Sequence, residues 1–178
     1  MYDTAYSEIP TNQFRDISID DQNNIWIAAW GLGLPKYDGE NWSLIDTSNS
    51  PLISNKISLL QYFDNLLFIC TKKGVLTFDG NSWQKISSPE LEIEFATCMI
   101  KDDNYNYWFG SSTGLYKYDG SKWSVFDISN SGIANNFINS IALDYSGNLW
   151  IVSAYRYLSI FNDNGIKDES RINSFLNP

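Results

Sequence analysis

Three observations in the sequence predict an all-β fold, a β-propeller built from four four-stranded blades of about 42 residues each. The first is a turn-plus-strand segment that returns through the chain: Asp20 to Ile27, Asp102 to Phe109 and Asp144 to Ile151 each run from an acidic turn into a tryptophan. A degenerate copy, Leu66-Leu67-Phe68-Ile69, puts Phe68 in the Trp place, so Trp26, Phe68, Trp108 and Trp150 are spaced by 42, 40 and 42 residues. The second is an aromatic-Asp-Gly triplet running in phase with it, at Tyr37-Asp38-Gly39, Phe78-Asp79-Gly80 and Tyr118-Asp119-Gly120. The third is a further tryptophan, Trp42, Trp83 or Trp123, each four residues beyond the triplet's Asp. The whole chain, 1–178, then reads as one propeller domain with blades at about 13–55, 56–95, 96–136 and 137–178.

The elements follow in order. Residues 1–12 resemble the fourth-strand exit and link at Leu44 to Asn55, which predicts a segment that closes the last blade or follows a preceding one. Within a blade, the first strand is clearest at Phe137–Leu143, where Ile141 and Leu143 alternate with period two. The turn Asp144–Asn148 leads into a second strand, Leu149–Ser153, dense in β-formers. In the third repeat Leu115–Tyr118 is a third strand and Trp123–Phe126 a fourth, with Asp119-Gly120 turning between them because glycine tolerates positive φ. In the second repeat the first hairpin shrinks to Asp64-Asn65, a pair that accepts left-handed geometry. Polar links such as Asp127–Asn136 connect the blades, and no stretch has helical periodicity.

A four-stranded blade has two apolar faces and must stack on neighbours. The repeated tryptophans, Trp26, Trp108 and Trp150 on strand two and Trp42, Trp83 and Trp123 on strand four, are therefore expected between blades. Four repeats allow a closed four-bladed ring or half of a larger one, the latter completed by a homodimer or by a longer parent polypeptide.

Composition narrows the chemistry. Lys and Arg number 12 against 21 Asp and Glu, a net charge of -9, which argues against nucleic acid because phosphates need clustered cations. The chain has no histidine, which removes Ser-His-Asp triads, His-assisted thiols and His-ligated metals. Cys70 and Cys98 lie in apolar runs and read as buried thiols. No apolar run spans a bilayer, so no membrane insertion is expected, and Met1-Tyr2-Asp3-Thr4 has no signal-peptide character.

The pattern Asp-x-x-Gly-Asn-Leu-Trp-Ile at 144–151, Gly-Leu-Tyr-Lys-Tyr-Asp-Gly at 114–120 and Trp-x-x-Phe at 123–126 resembles the two-component regulator propeller repeat. The resemblance covers about residues 13–165, with the second repeat and the end of the fourth degraded. It implies a bacterial sensor-type propeller, periplasmic or extracellular, of a family that often senses carbohydrates.

Antiparallel strands put the loops between strands two and three on one rim together with the inter-blade links, and the remaining turns on the other. Positions that vary among repeats on the first rim are where function is expected. Trp30, Tyr155 and Tyr157 lie outside the repeating pattern there, and Lys72, Lys73 and Arg156 add positive charge to an acidic chain. Stacking rings plus cations suit a carbohydrate or a small acidic ligand. The acidic turns at Asp20–Asn24 and Asp102–Asn106 lack calcium-loop spacing and read as turn chemistry, so neither a metal nor a cofactor is predicted. No catalytic residue stands out either: Asp20, Asp102 and Asp144 recur at one structural position. The reading is a non-catalytic recognition propeller. The alternatives are a protein-interaction or assembly module and, further off, a carboxylate-based glycan hydrolase or lyase.

Overall fold

In the computed structural model, residues 13–87, 93 and 95–163 are described. The chain divides into two compact units, Met1–Ala96 and Thr97–Pro178. The first holds two four-stranded antiparallel sheets. Blade 1 is made of β1 (Phe14–Ile19), β2 (Ile25–Ala29), β3 (Leu34–Tyr37) and β4 (Trp42–Ile45). Blade 2 follows with β5 (Ile57–Phe63), β6 (Leu66–Thr71), β7 (Gly74–Phe78) and β8 (Trp83–Lys85). Blade 3, at the start of the second unit, contains β9 (Ala96–Lys101), β10 (Tyr107–Ser111), β11 (Leu115–Tyr118) and β12 (Trp123–Phe126). Blade 4 shows β13 (Ile138–Leu143), β14 (Leu149–Ser153) and β15 (Tyr157–Phe161). The expected end of that blade, and the closing segment 1–12, lie outside the described residues. Strands pair in chain order within every sheet, the meander expected of propeller blades.

The recurring Asp is the organiser of the first hairpin. Asp102 Oδ1 accepts the backbone N–H of Asn104 and Asn106, both at 2.9 Å, and Oδ2 accepts Asn106 Nδ2 and Trp108 Nε1, both at 2.8 Å. Asp20 and Asp144 repeat this, receiving Trp26 Nε1 at 2.8 Å and Trp150 Nε1 at 3.0 Å. One carboxylate thus closes the turn and fixes the core indole. Burial works against ionisation of Asp20, Asp102 and Asp144, but the bonds from Asn, Trp and turn amides outweigh it and hold all three below the usual carboxylate range. In blade 2 the short turn has Asp64 and Asn65 at φ 52° and 62°, the left-handed pair expected there. The Asp-Gly turns span four residues, Asp38–Asn41 in blade 1, rather than two. Asp38 Oδ1 accepts the amides of Glu40 and Asn41, and Gly39 takes φ 101°.

Within each unit the two blades pack face to face. Ile57, Leu60 and Tyr62 of β5 meet Trp26, Ala28 and Leu34 of blade 1, and Ile138, Ile141 and Leu143 of β13 meet Trp108 and Leu115 of blade 3. Edge-on aromatic pairs mark both junctions, Trp26–Phe78 and Trp108–Phe161, each with centroids 5.9 Å apart. The strand-two tryptophans of blades 1 and 3 are therefore inter-blade residues, as expected. Those on strand four first pair across their own sheet: Tyr37–Trp42, Phe78–Trp83 and Tyr118–Trp123 sit at 5.0, 4.6 and 4.9 Å, because each aromatic pair lies directly opposite in the register. Blade spacing depends on a small residue one turn of the pleat beyond the indole. At Gly110 an added Cβ would come within 2.6 Å of Ile138 Cγ2 and would also strike Cys98 Sγ. Cys70 is buried and Cys98 half-buried, both as free thiols, and burial raises the pKa of each.

Candidate functional site

The links are folded by their own side chains. In the first, Asp46 Oδ1 accepts from Ser48, Asn49 Nδ2 donates to Leu44 O, and Asn55 Oδ1 accepts the Thr47 amide. The link after blade 3 repeats all three bonds through Asp127, Asn130 and Asn136. These links meet the loops between strands two and three: Gly31 N–H donates to Asn55 O and Lys72 N–H to Lys56 O, each at 2.9 Å. The rim deduced from strand parity exists in each unit.

In the first unit this rim carries a cation cluster around Trp30. Phe95 stacks on the indole at 5.2 Å with an interplanar angle of 22°. The Arg15 guanidinium lies 5.0 Å and the Lys56 ammonium 6.0 Å from the ring centroid, both within cation–π range. Arg15 is the extra residue of a β-bulge in β1, between the paired Phe14 and Asp16, which frees its side chain from the sheet's alternation. Beside it an open concavity of about 680 Å³ is lined by Gly31, Leu52, Asn55, Lys56, Lys72 and Lys73, among others. The volume falls in the range of small-molecule sites. Lys56, Lys72 and Lys73 are exposed, while Trp30 is half-buried.

Trp30, Lys72 and Lys73 are thus brought to one rim, as the sequence suggests, but the indole's surroundings change its role. With Phe95 stacked on it and two cations over it, Trp30 organises positive charge more than it offers a bare platform. Arg15, Lys56 and Phe95 are the residues that sequence reasoning missed. Lys56 had a usable signal, since it follows Asn55 directly in a link assigned to this rim.

Tyr155, Arg156 and Tyr157 belong to the second unit, in the loop between β14 and β15. The loop has three residues between its paired ends Ser153 and Tyr157, as the blade 1 loop has between Ala29 and Gly33, and one more than the loop between Thr71 and Gly74 in blade 2. It makes a short 3₁₀ turn, Ala154–Arg156, with Tyr155 and Arg156 at φ 63° and 66°, where the blade 1 loop has Gly31 at φ 84°. Such bulky residues rarely adopt the left-handed region, and each costs of order 1–3 kcal/mol there. Thr71 and Ser111 donate their hydroxyls to the carbonyls of Gly74 and Gly114 in their own loops, but the buried Ser153 hydroxyl has no partner. Tyr155 is 85% exposed and Arg156 exposed, so this loop presents its side chains to solvent.

On the other rim a concavity of about 580 Å³ is lined by Asp20, Asp21, Trp26, Lys36 and Asp79, among others, with the Lys36 ammonium 5.1 Å from the Trp26 ring centroid. Its acidic turns spend their carboxylate oxygens on their own amides and indoles, and among the described residues no three Cys, Asp or Glu converge as a metal site requires. Among the described residues no helix is long and apolar enough to cross a membrane.

Comparison with known proteins fits this architecture. Residues 132–155 match the family model of the two component regulator propeller. The extracellular domain of BT3049 from B. thetaiotaomicron, described as a hybrid two component system, is similar at a TM-score of 0.76 and 23% identity, over 96% of this chain and 24% of that one. The extracellular domain of BT4673 from the same organism, described as a one component system, is similar at 0.64 and 24%, over 83% of this chain and 20% of that one. A streptogramin B lyase shares the fold at 0.62 and 13%, over 86% of this chain and 56% of that one. This chain spans about a quarter or less of the two extracellular domains. No curated protein matches it.

Proposed function

For a chain built on the two component regulator propeller repeat, we propose a non-catalytic, extracytoplasmic recognition role in which the first unit's rim binds a small acidic ligand, a carboxylated saccharide by preference. The observation that carries this reading is the gathering of Arg15, Lys56, Lys72 and Lys73 about Trp30 and its adjoining concavity, in a chain of net charge -9. A concave, cationic patch on an acidic molecule attracts anions locally while the remaining surface repels them. The ring edge and the link amides supply the apolar and hydroxyl-bonding contacts that a sugar needs. The strained Tyr155-Arg156 loop is a second exposed recognition element of the other unit, and strain of this kind concentrates at ligand clamps. Recognition is favoured over a lyase- or hydrolase-like role because the recurring carboxylates Asp20, Asp102 and Asp144 are bound up in turn closure and held in the ionised form, which suits none of them to act as an acid.

Titration of the full chain with an oligogalacturonate, against a neutral dextran of the same length, tests the proposal by Trp fluorescence and calorimetry. The acidic oligomer should bind and the neutral one should not, with affinity falling as salt rises. The double variant Lys72→Gln/Lys73→Gln should weaken binding on the order of tenfold, since exposed ion pairs contribute about 0.2–1 kcal/mol each. Equal binding of both oligomers, or unchanged affinity of the double variant, would refute it.

A further inference from the structure

The turn-side cleft between blades 1 and 2 has a counterpart between blades 3 and 4, but the two are not equally filled. By register Trp26 corresponds to Trp108, Lys36 to Lys117, Tyr62 to Leu143 and Phe78 to Phe161. Gly80, two residues beyond Phe78, thus corresponds to Asp163, two beyond Phe161. Both clefts are lined by the equivalent indoles and phenyl rings together with the acidic turns at Asp20–Gln22 and Asp102–Asn104.

In the second unit the cleft is filled from within. The Lys117 ammonium lies 5.2 Å from the Trp108 ring centroid and forms an ion pair with the Asp163 carboxylate. The five-residue turn Asp144–Asn148 brings Tyr145, Ser146 and Gly147 to the same space, and about 230 Å³ remains. The first unit lacks both closing elements. Lys36 holds the same posture, 5.1 Å from the Trp26 centroid, but Gly80 stands in the place of Asp163. Among the described residues no carboxylate pairs with Lys36, and Asp38, two positions on, senses its charge without bonding it. The facing turn has Asp64 and Asn65 alone between the paired Phe63 and Leu66, three residues fewer than in blade 4, and the cleft measures about 580 Å³. Two changes in separate turns open the same space and bare the same cation.

We propose that this cleft is a second ligand site, for a monocarboxylate that also carries hydroxyls, its carboxylate resting on Lys36 as that of Asp163 rests on Lys117. The internal pair supplies the ligand's chemistry. It forms beside the ionised Asp102 turn, so the like turn at Asp20 does not forbid a carboxylate here. Asp20 spends both oxygens on Gln22, Asn24 and Trp26, whereas Asp21, Asn65 and Asn81 also line the cleft and suit hydroxyl groups. Asp21 and Asp79 repel a second negative charge, which sets this ligand apart from the polyanion that a rim of four cations would take. The site is independent of the Trp30 rim.

Calorimetric titration of the full chain with D-glucuronate, against D-glucose, tests the site, and the indole N–H resonance of Trp26 serves as a local reporter. Glucuronate should bind and shift that resonance, and glucose should do neither. Lys36→Met keeps the stem over Trp26 and removes the charge, so Tm should stay near wild type while affinity falls about tenfold or more. Lys72→Gln/Lys73→Gln should leave the Trp26 shift as it is in the wild type. No binding by the wild type would overturn the proposal, as would equal shifts with glucose or unchanged affinity in Lys36→Met. Loss of the Trp26 shift in the Lys72/Lys73 variant, with Lys36→Met unaffected, would assign the ligand to the other rim and overturn it as well.

Discussion

Removing the Asp102 carboxylate tests the claim that one side chain serves both a turn and the core. Asp102→Ala deletes the acceptor for two exposed or edge amides and, more importantly, for Asn106 Nδ2 and Trp108 Nε1. Both of those donors belong to buried residues, Trp108 at 3% exposure. A buried donor left without a partner costs about 1–3 kcal/mol. Partial access of water to the hairpin end keeps the pair nearer the lower half of that range, so the loss is about 3 kcal/mol. For a chain of this size that corresponds to a Tm lower by roughly 6–12 °C. The backbone bonds Asp102 N–H to Asn106 O and Tyr105 N–H to Asp102 O survive the change, so the hairpin persists and the effect is one of stability. Thermal melts followed by far-ultraviolet circular dichroism and by near-ultraviolet tryptophan signal measure it. Asp102→Asn, which keeps one carbonyl oxygen, should recover part of the loss, and the exposed neighbour change Asp103→Ala should stay within about 0.5 kcal/mol of wild type. An Asp102→Ala melt indistinguishable from that of Asp103→Ala would refute the reasoning, because the carboxylate would then be decoration on a turn that closes without it.

Gly110→Ala should destabilise the second unit by about 1–3 kcal/mol, since the new methyl meets Ile138 and Cys98 in a filled junction. Adding Ile138→Val should relieve part of that loss in a double-mutant cycle, and strict additivity would place the clash elsewhere. Acid should unfold the chain in a defined window. Asp20, Asp102 and Asp144 have folded pKa values below their unfolded ones, so their stabilisation is complete above about pH 4 to 5 and is lost as pH falls through the depressed values. A Tm that holds or rises on acidification below pH 4 would contradict that sign.

Much of the fold was legible because its signals are local. The Asp–Trp spacing, the Asp64-Asn65 turn and period-two strands such as Leu149–Ser153 each declare themselves within a few residues. Trp83 packs against the cluster shared by blades 1 and 2, as expected, but periodicity reports a face and not a neighbour, so it is silent on the rings that the strand-four tryptophans meet within their own sheet. Their ring partners, Tyr37, Phe78 and Tyr118, come from the register across one hairpin. The candidate site was legible only in part. Trp30, Lys72 and Lys73 stand out as departures from the repeat, but Arg15 reaches Trp30 through a bulge, and Phe95 lies 65 positions further along the chain. Proximity of that kind arises only after blades dock. Likewise the lack of glycine in the Tyr155 loop, where the blade 1 loop has Gly31 and Gly33, is visible in the sequence, whereas the orphaned Ser153 hydroxyl beneath it is not.

The bond from the indoles of Trp26, Trp108 and Trp150 to an aspartate six positions earlier bears on how the chain reaches its native state. The first hairpins of blades 1, 3 and 4 can each lock their own largest side chain before any distant partner has emerged from the ribosome. Neighbouring modules then receive ready-made surfaces, and the slow search for remote contacts shrinks to the docking of finished pieces. A lineage that lengthens or shortens such an array alters the count of pieces and leaves the assembly rule of each untouched.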